Sequence, residues 1–239
     1  GWRGVCADET SNDYLNLSEL DAVFSTGPFS EEKLNILGFA DCSMATMATY
    51  YQLHEHTDFF IGSEQTGWGS TEKGLPWQFT HLIQQMNITN HPSIVTMHTV
   101  ENMTHQINNS SLENKSHTWS VVRSNQLVQL QQCLDEIADG LLTVIENQET
   151  YKIEEIYQQT EQYGETIDLY HFIQQISNAS FSSISSDLIN QTVSQFTNTV
   201  ISNQVHQGKG SDAISVTHAH GLSLYFPETY DSEYDTLQI

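Results

Sequence analysis

The sequence predicts an α/β domain, in which helices cover the faces of a buried sheet. Residues 34–39 and 57–63 are short apolar runs, a pattern typical of strands that are buried on both faces. Between them, Met44, Met47 and Tyr51 recur at the spacing of one helix face. The whole unit is about 30 residues long, which suits a right-handed strand–helix–strand crossover.

The other predicted elements lie before and after this unit. A helix is expected at residues 15–24, with Ser18 as its N-cap. Residues 100–117 are polar and carry several glycosylation sequons, so we expect them to form an exposed excursion. The remaining expectations, in chain order, are a helix at 79–90, a strand at 117–122, a helix at 124–146, a weakly helical segment at 149–165, an apolar segment at 166–173, a helix at about 186–202, a loop at 203–213 and a final strand at 218–226. No repeat or long linker interrupts them, so one domain is predicted over residues 1–239.

The charge balance excludes several classes of function. Acidic residues number 30 and basic residues 7, which gives a formal net charge of -23. Binding to nucleic acid requires Lys and Arg to neutralise phosphates, so nucleic acid is not an expected partner. Such a field attracts cationic substrates instead, although an acidic surface that serves only solubility would explain the charge as well. No run of about 18 apolar residues is present, so we expect no membrane-spanning segment.

Asparagine sequons indicate where the protein resides. The pattern Asn-x-Ser/Thr occurs at more than half of the asparagines, although the Ser and Thr content of the chain predicts far fewer by chance. The sequons begin at Asn16, Asn87, Asn102, Asn108, Asn109, Asn114, Asn178 and Asn190. A glycosylated protein that is extracellular or at the cell surface fits this pattern. The alternative is a sequence that is merely rich in Asn, Ser and Thr.

One cysteine lies where reactive residues are commonly placed. The chain has 3 cysteines, an odd number that does not suggest a disulfide scaffold. Cys133 falls among leucines at helical spacing and is expected on or beside a buried helix face. Cys42 instead follows an apolar strand and is expected to begin the next helix, where backbone N–H groups favour a thiolate. The position also suits a small core residue, so both interpretations stay open.

A cysteine nucleophile needs a base, which is nearly always a histidine. The chain has 11 histidines, and no local spacing marks one of them as a partner of Cys42. His218 and His220 alternate along a predicted strand, but no carboxylate or cysteine stands at ligand spacing beside them. We interpret this pair as structural, and no metal site is predicted.

Five segments, in order, give the chain a specific resemblance. They are GWRGVCADET at 1–10, LNLSEL at 15–20, GFADCSMA at 38–45, IGSEQ at 61–65 and HGLSLYFPETY at 220–230. Together they resemble the clostripain family of cysteine peptidases, within the clan that includes gingipains, legumains and caspases. The resemblance implies a caspase-like three-layer fold with a mostly parallel sheet flanked by helices. It also implies that the first strand or strands of that sheet lie upstream of Gly1.

The resemblance further implies roles for individual residues. Cys42 matches the family nucleophile, and its own N–H is expected to help stabilise the oxyanion. The family base is the His of a His-Gly motif, which would lie on an upstream N-terminal segment or light chain. In the family, an Asp two residues before the cysteine helps line the pocket for a basic P1 side chain. Here Ala40 takes that place and Asp41 is shifted by one residue, so Asp41 is expected to point differently.

The function implied is that of a secreted cysteine endopeptidase that acts on protein or peptide substrates. Ala40, Asp41, Ser63 and Glu64 are the expected substrate-binding residues, with a preference for Arg or Lys at P1. The alternative, from another class, is a glycosylated surface or assembly protein that uses the same fold without turnover. Some relatives use calcium, but no loop here has the EF-hand pattern, so no cofactor is predicted.

Overall fold

Nine strands and seven α-helices occur in the residues that the computed structural model describes, which are 4–8, 10–11, 13–65, 91–108, 112–210 and 213–228. The strands are β1 (Val5–Asp8), β2 (Asp13–Leu15), β3 (Leu34–Gly38), β4 (Thr57–Gly62), β5 (His117–Arg123), β6 (Gln162–Tyr163), β7 (Thr166–Asp168), β8 (Val200–His206) and β9 (Ser223–Tyr225). The helices are α1 (Leu17–Thr26), α2 (Met47–Gln52), α3 (Pro92–Asn108), α4 (Leu127–Glu146), α5 (Thr150–Gln159), α6 (Leu169–Ala179) and α7 (Ser186–Thr199). The helix predicted at 79–90 lies outside the described residues.

Four strands form the central sheet in the order β3–β4–β5–β8. β3 and β4 run parallel, in register from Leu34 opposite Thr57 to Gly38 opposite Ile61. β5 is antiparallel to both of its neighbours, because it starts at the edge of the sheet where β4 ends. The predicted α/β class with a flanked central sheet is confirmed, while the described part of that sheet is mixed rather than mostly parallel.

Helices cover both faces of the sheet and create two apolar clusters. Successive residues of a strand point to opposite faces, so Phe60 and Val122 join a large cluster with side chains of α4, α6 and α7. Phe59, Ile61 and Val121 point the other way, into a smaller cluster formed with α3. Each apolar side chain that is fully buried in such a cluster contributes roughly 1.5–3 kcal/mol to stability. The result is three layers, with the sheet in the middle.

Capping side chains determine where several helices begin. The side chain of Asn16 accepts a hydrogen bond from the Glu19 N–H at 2.9 Å, and Glu19 accepts one from the Asn16 N–H at 3.0 Å. This capping box satisfies two N–H groups at the start of α1, so Asn16 is the N-cap and the prediction of Ser18 is wrong. α7 begins in a similar way, since the Ser185 hydroxyl accepts from the Leu188 N–H at 3.1 Å.

α3 contradicts the exposed excursion expected at 100–117. Val100, Met103 and Ile107 are buried at helical spacing and pack against the sheet. The segment looks polar because only one stripe of a surface helix needs apolar side chains. Residues 100–108 are therefore part of a packed helix, and the described residues 112–116 form only a short turn before β5.

The C-terminal part of the chain also differs from the prediction. Residues 200–206 were expected to end a helix and enter a loop, but they form β8, because pairing with β5 outweighs local preference. The expected strand at 218–226 is reduced to β9, which belongs to a separate three-stranded sheet with β6 and β7. Residues 218–222 leave the ladder, and the N–H groups of His218, His220 and Gly221 bond to side-chain carboxyl groups instead.

Candidate active site

The loop between β3 and α2 carries Cys42 at the carboxyl edge of the central sheet. Ala40 and Asp41 are exposed and Cys42 is half-buried, and we refer to residues 40–42 as the tip of the loop. Ser43 has a φ of 54°, a left-handed conformation that turns the chain back toward the sheet. Cys42 therefore stands at the outer end of an out-and-back loop, where a ligand can reach it.

Backbone hydrogen bonds fix the base of this loop, residues 43–45, to the end of β4. The Ser43 N–H donates to the Gln65 carbonyl, and the Ala45 N–H donates to the Ser63 carbonyl, each at 3.0 Å. The two segments therefore lie side by side in opposite directions. Because backbone groups make these bonds, the base holds the position of the tip whatever side chains the tip carries.

The segment after residue 220 holds the base from its other side. Ser223 donates two hydrogen bonds to the Ala45 carbonyl, from its N–H at 2.9 Å and from its hydroxyl at 3.1 Å. Toward the sheet, the Ser63 hydroxyl lies 3.0 Å from the Thr118 hydroxyl, and both residues are buried. The burial of Ser63 disfavours the substrate contact that was expected of it.

Asp41 turns back onto the backbone of the candidate nucleophile. Its Oδ1 accepts a hydrogen bond from the Cys42 N–H at 2.8 Å. In acyl transfer this N–H is the donor expected to stabilise the developing oxyanion. A carboxylate on the same donor competes with the oxyanion for it and repels it. Asp41 must therefore move aside for the Cys42 N–H to serve.

The helix that follows the loop begins later than expected. α2 starts at Met47, and its N-cap is Thr46, whose hydroxyl accepts from the Thr49 N–H at 3.1 Å. The helix is only 6 residues long, and Cys42 lies four residues before its N-cap, Thr46. The expectation that Cys42 begins the helix is wrong, because the loop base lies between them.

Glu64 lies beside the loop base but points into the protein. It is 0% exposed, and its Oε2 accepts a hydrogen bond from the Gly221 N–H at 2.6 Å. Burial raises the pKa of this carboxyl well above its usual value, and the nearby carboxylate of Asp168 raises it further. The neutral form of Glu64 is therefore favoured, which disfavours the expected role of binding a cationic substrate side chain.

Asp168 is the second buried carboxyl group of the same region. It is the N-cap of α6, where its Oδ1 accepts from the His171 N–H at 2.6 Å. It also accepts two hydrogen bonds from His220, from the N–H at 2.6 Å and from the ring Nδ1 at 2.9 Å. Burial alone would lower the pKa of His220, but the hydrogen bond to Asp168 raises it above its usual value.

The fold and this loop match one family of peptidases. The family model of the clostripain family, Peptidase C11, matches residues 1–237. The chain belongs to the clostripain family. This is a family of cysteine peptidases, which makes Cys42 the candidate nucleophile, and we refer to the loop between β3 and α2 as the cysteine loop.

Solved structures of clostripain-family proteins share the fold. The clostripain of Bacteroides thetaiotaomicron ATCC 29148, in complex with the peptide inhibitor BTN-VLTK-AOMK, matches with a TM-score of 0.70 and 14% identity over 98% of this chain and 96% of that chain. A secreted C11 cysteine protease from Bacteroides thetaiotaomicron, in complex with an irreversible peptide inhibitor, gives 0.69 and 18% identity over 99% of this chain and 65% of that one. A B. fragilis cysteine protease gives 0.66 and 15% identity over 97% and 91%. No curated protein sequence gives a significant match.

The other two cysteines of this clostripain-family chain have different surroundings. Cys133 lies on the buried face of α4, as predicted, and burial raises the pKa of its thiol. Cys6 is exposed on β1, where it has a φ of 57°. None of the chain's cysteines forms a disulfide. Cys42, half-buried at a loop tip, therefore differs from both.

The sequence did not reveal the residues that hold the base of the cysteine loop on its buried side. His220 was interpreted as structural, which agrees with its bonds to Asp168, but the partner stands 52 positions away and carries no local signal. His218 stacks on His171 with ring centroids 4.1 Å apart, and its N–H donates to Glu161 at 3.2 Å. The only hint available was the glycine after this pair, since a buried turn of this kind needs one.

Metal-ligand clusters and membrane-spanning helices are both absent from the part of the chain that the structure describes. No group of three or more His, Cys, Asp or Glu side chains is arranged there to hold a metal ion. None of the helices described is both long and apolar enough to cross a lipid bilayer.

Proposed function

We propose that this clostripain-family chain acts as a secreted or cell-surface cysteine endopeptidase with Cys42 as its nucleophile. The half-exposed Cys42 at the tip of a loop whose base is bonded on both sides carries this proposal. A substrate can reach the thiol, while the base keeps its backbone in place. The Cys42 thiolate attacks the scissile carbonyl, the amine leaves with a proton from the base, and water hydrolyses the resulting thioester.

The base is proposed to be a histidine on an upstream segment or light chain. His220 is bonded to Asp168 through both its N–H and its ring. His56, at the far end of α2, contacts Asp21 at 2.5 Å. These engagements support a base that comes from outside the described residues, in keeping with the family motif that the resemblance implies.

We propose a preference for Arg or Lys at P1. Asp41 is exposed one residue before Cys42, and the net charge of -23 attracts cations to the protein. The inhibitor bound to the Bacteroides thetaiotaomicron clostripain, BTN-VLTK-AOMK, has K beside its AOMK group. A cationic side chain that passes Ala40 and pairs with Asp41 would also draw this carboxylate off the Cys42 N–H. Binding of a basic P1 residue would then release the oxyanion donor.

A second candidate is a glycosylated surface or assembly protein that keeps the fold without turnover. The hydrogen bond from the Cys42 N–H to Asp41 supports it, because an occupied donor does not stabilise an oxyanion. The sequons support a glycoprotein in either case. Asn108, Asn114, Asn178 and Asn190 are exposed and Asn16 and Asn102 are half-buried, whereas Asn87 and Asn109 lie outside the described residues.

A chloromethyl ketone probe with Lys at P1 separates the two candidates. We expect peptide mass spectrometry of the full-length secreted protein to find the probe on Cys42, with far less labelling by a probe that has Ala at P1. Cys6 is the internal control, because it is exposed but lies outside the loop. Labelling of Cys6 in preference to Cys42, or no labelling, would contradict the peptidase proposal. The same spectra report whether the sequons carry glycans.

A further inference from the structure

Two buried carboxyl groups meet beneath the cysteine loop. Glu64 and Asp168 are each 0% exposed, and they accept hydrogen bonds from the N–H groups of two consecutive residues, Gly221 and His220, each at 2.6 Å. Two carboxylates at such close range inside a protein do not both ionise, because burial and mutual repulsion act together. One proton shared between them satisfies the pair.

The hydrogen bonds show which of the two carries the proton. Asp168 accepts three hydrogen bonds, from His171 and twice from His220, which stabilise its ionised form. Glu64 accepts one, from Gly221, and no donor among the described residues faces its Oε1. An oxygen that carries a proton needs an acceptor rather than a donor, which fits Glu64 Oε1, and the Asp168 carboxylate is bonded to the next N–H of the same turn.

Glu64 also closes a ring of hydrogen bonds around the loop base. Ala45 donates to Ser63, Ser223 donates to Ala45, and Gly221 donates to Glu64, the neighbour of Ser63. The end of β4, the loop base and the segment 221–223 are therefore locked together. Glu64 supplies the one side-chain acceptor in this ring, since the other links run to backbone carbonyls.

We propose that Glu64 and Asp168 share one proton beneath the cysteine loop, and that this pair, closed by His220, positions the loop base for catalysis. The inference rests on the proposed peptidase function and assigns Glu64 as a positioning residue rather than a substrate-binding one. Glu64 touches no reacting atom, and it acts through Gly221, Ser223 and Ala45.

Other titratable groups face the pair from the surrounding elements. They are Tyr50 on α2, Tyr163 on β6, Glu161 before β6, and His171 on α6 with its neighbour His218. Burial and the charges of the acids raise the pKa of both tyrosines, so they stay neutral. Burial lowers the pKa of His171, so it opposes protonation of this region.

The sign of the pH effect follows from where the proton is held. Unfolded Glu64 loses its proton near pH 4.5, whereas the folded protein keeps it to higher pH. The contribution of Glu64 to stability is therefore complete below that pH and is lost as pH rises through the folded pKa. His220 has the same sign, because its pKa is raised, and His171 has the opposite sign.

Glu64→Gln tests the shared proton in the full-length protein. Gln reproduces the neutral acid, because its oxygen accepts from Gly221 and its NH₂ donates to Asp168. As the pH is raised from about 5 to about 8, we expect the thermal unfolding midpoint of Glu64→Gln to increase by roughly 3 °C or more relative to that of the wild type. The matched control is Glu146→Gln, an exposed residue on α4, which should show a constant difference. For cleavage of Lys-P1 substrates, the KM of Glu64→Gln should stay within about threefold of the wild-type value. Its kcat should fall less at high pH than the kcat of the wild type.

Infrared spectroscopy of the wild type provides a second measurement that does not depend on the variant folding. A carbonyl stretch of a protonated carboxylic acid should persist at neutral pH and disappear in Glu64→Gln. A midpoint difference that is constant with pH, or the absence of this band, would overturn the inference. A selective rise in KM for Lys and Arg substrates would also overturn it, because Glu64 would then be a substrate ligand. Unfolding and infrared measurements need no activity, so they stand apart from failure of the peptidase proposal.

Discussion

The tip and the base of the cysteine loop differ in almost every physical respect, although they are adjacent in sequence. At the tip, Ala40 and Asp41 are exposed, and the side chain of Asp41 bonds to the N–H of the next residue. At the base, Ala45 is buried and bonded to both flanking segments. The candidate nucleophile therefore lies in the exposed part of the loop, and hydrogen bonds a few residues away fix its position.

The same contrast separates the two acids nearest to the nucleophile. Asp41 is exposed and adjacent to Cys42, so it can meet a substrate, whereas Glu64 is buried and burial raises the pKa of its carboxyl. Burial disfavours the charged form of any group, which converts an acid from a ligand for cations into part of a hydrogen-bonded frame. Proximity in sequence to a motif therefore does not decide which of these roles an acid takes.

The largest effect on stability is expected from a change in the segment that holds the base, Gly221→Ala. Gly221 has a φ of 101°, and an added Cβ would lie 2.8 Å from the Cβ of Ser120 and 3.0 Å from Val200. Strain and overpacking together should lower the free energy of unfolding by about 3 kcal/mol. Urea denaturation measures this loss, and cleavage should fall with it, because the Gly221 N–H binds Glu64.

Gly164→Ala is the matched control for that variant. Gly164 also has a positive φ, of 71°, but nothing lies within 4 Å of an added Cβ. Its replacement should cost only about 1 kcal/mol, from backbone strain alone. If both variants lost the same stability, the close packing of segment 221–223 against the sheet would be irrelevant to the fold.

A smaller effect is expected from the tip variant Asp41→Ala. Asp41 is exposed, so the free energy of unfolding should change by less than about 0.5 kcal/mol. Removing the carboxylate from the Cys42 N–H should raise kcat for Ala-P1 substrates about tenfold, a fraction of what a full oxyanion donor is worth. KM for Lys-P1 substrates should rise at the same time. The control for the change in net charge is Asp58→Ala, since Asp58 is an exposed acid on β4. Equal effects of the two variants would show that Asp41 has no specific role at the Cys42 N–H or in binding the P1 side chain.

Elements with strong local patterns could be predicted from the sequence. β3 and β4 are apolar runs, and α4 repeats apolar residues at helical spacing, so all three were found near their observed places. The position of Cys42 at the end of β3 was also visible. The N-cap was misplaced by two residues, because both Asn16 and Ser18 are good capping residues and only the reciprocal bond to Glu19 decides between them.

Features that depend on distant partners could not be predicted. β8 is a strand because it pairs with β5, although its residues also suit a helix end and a loop. The cluster of Glu64, Asp168 and His220 joins three segments that are far apart in sequence. Burial of Glu64 is likewise a property of the packed layers, so the motif that contains it suggested a ligand where the structure has a buried acid.

Cleavage of peptides that differ only at P1, by the full-length protein and its Cys42→Ala variant, tests the central claim most directly. With Arg or Lys at P1, we expect kcat/KM to exceed that for Ala at P1, and Cys42→Ala to lower it by at least roughly 10³-fold. The unfolding midpoint should stay the same, because the Cys42 side chain is only half-buried and the variant keeps its backbone. Undiminished cleavage by Cys42→Ala would contradict the claim that Cys42 at the loop tip is the nucleophile.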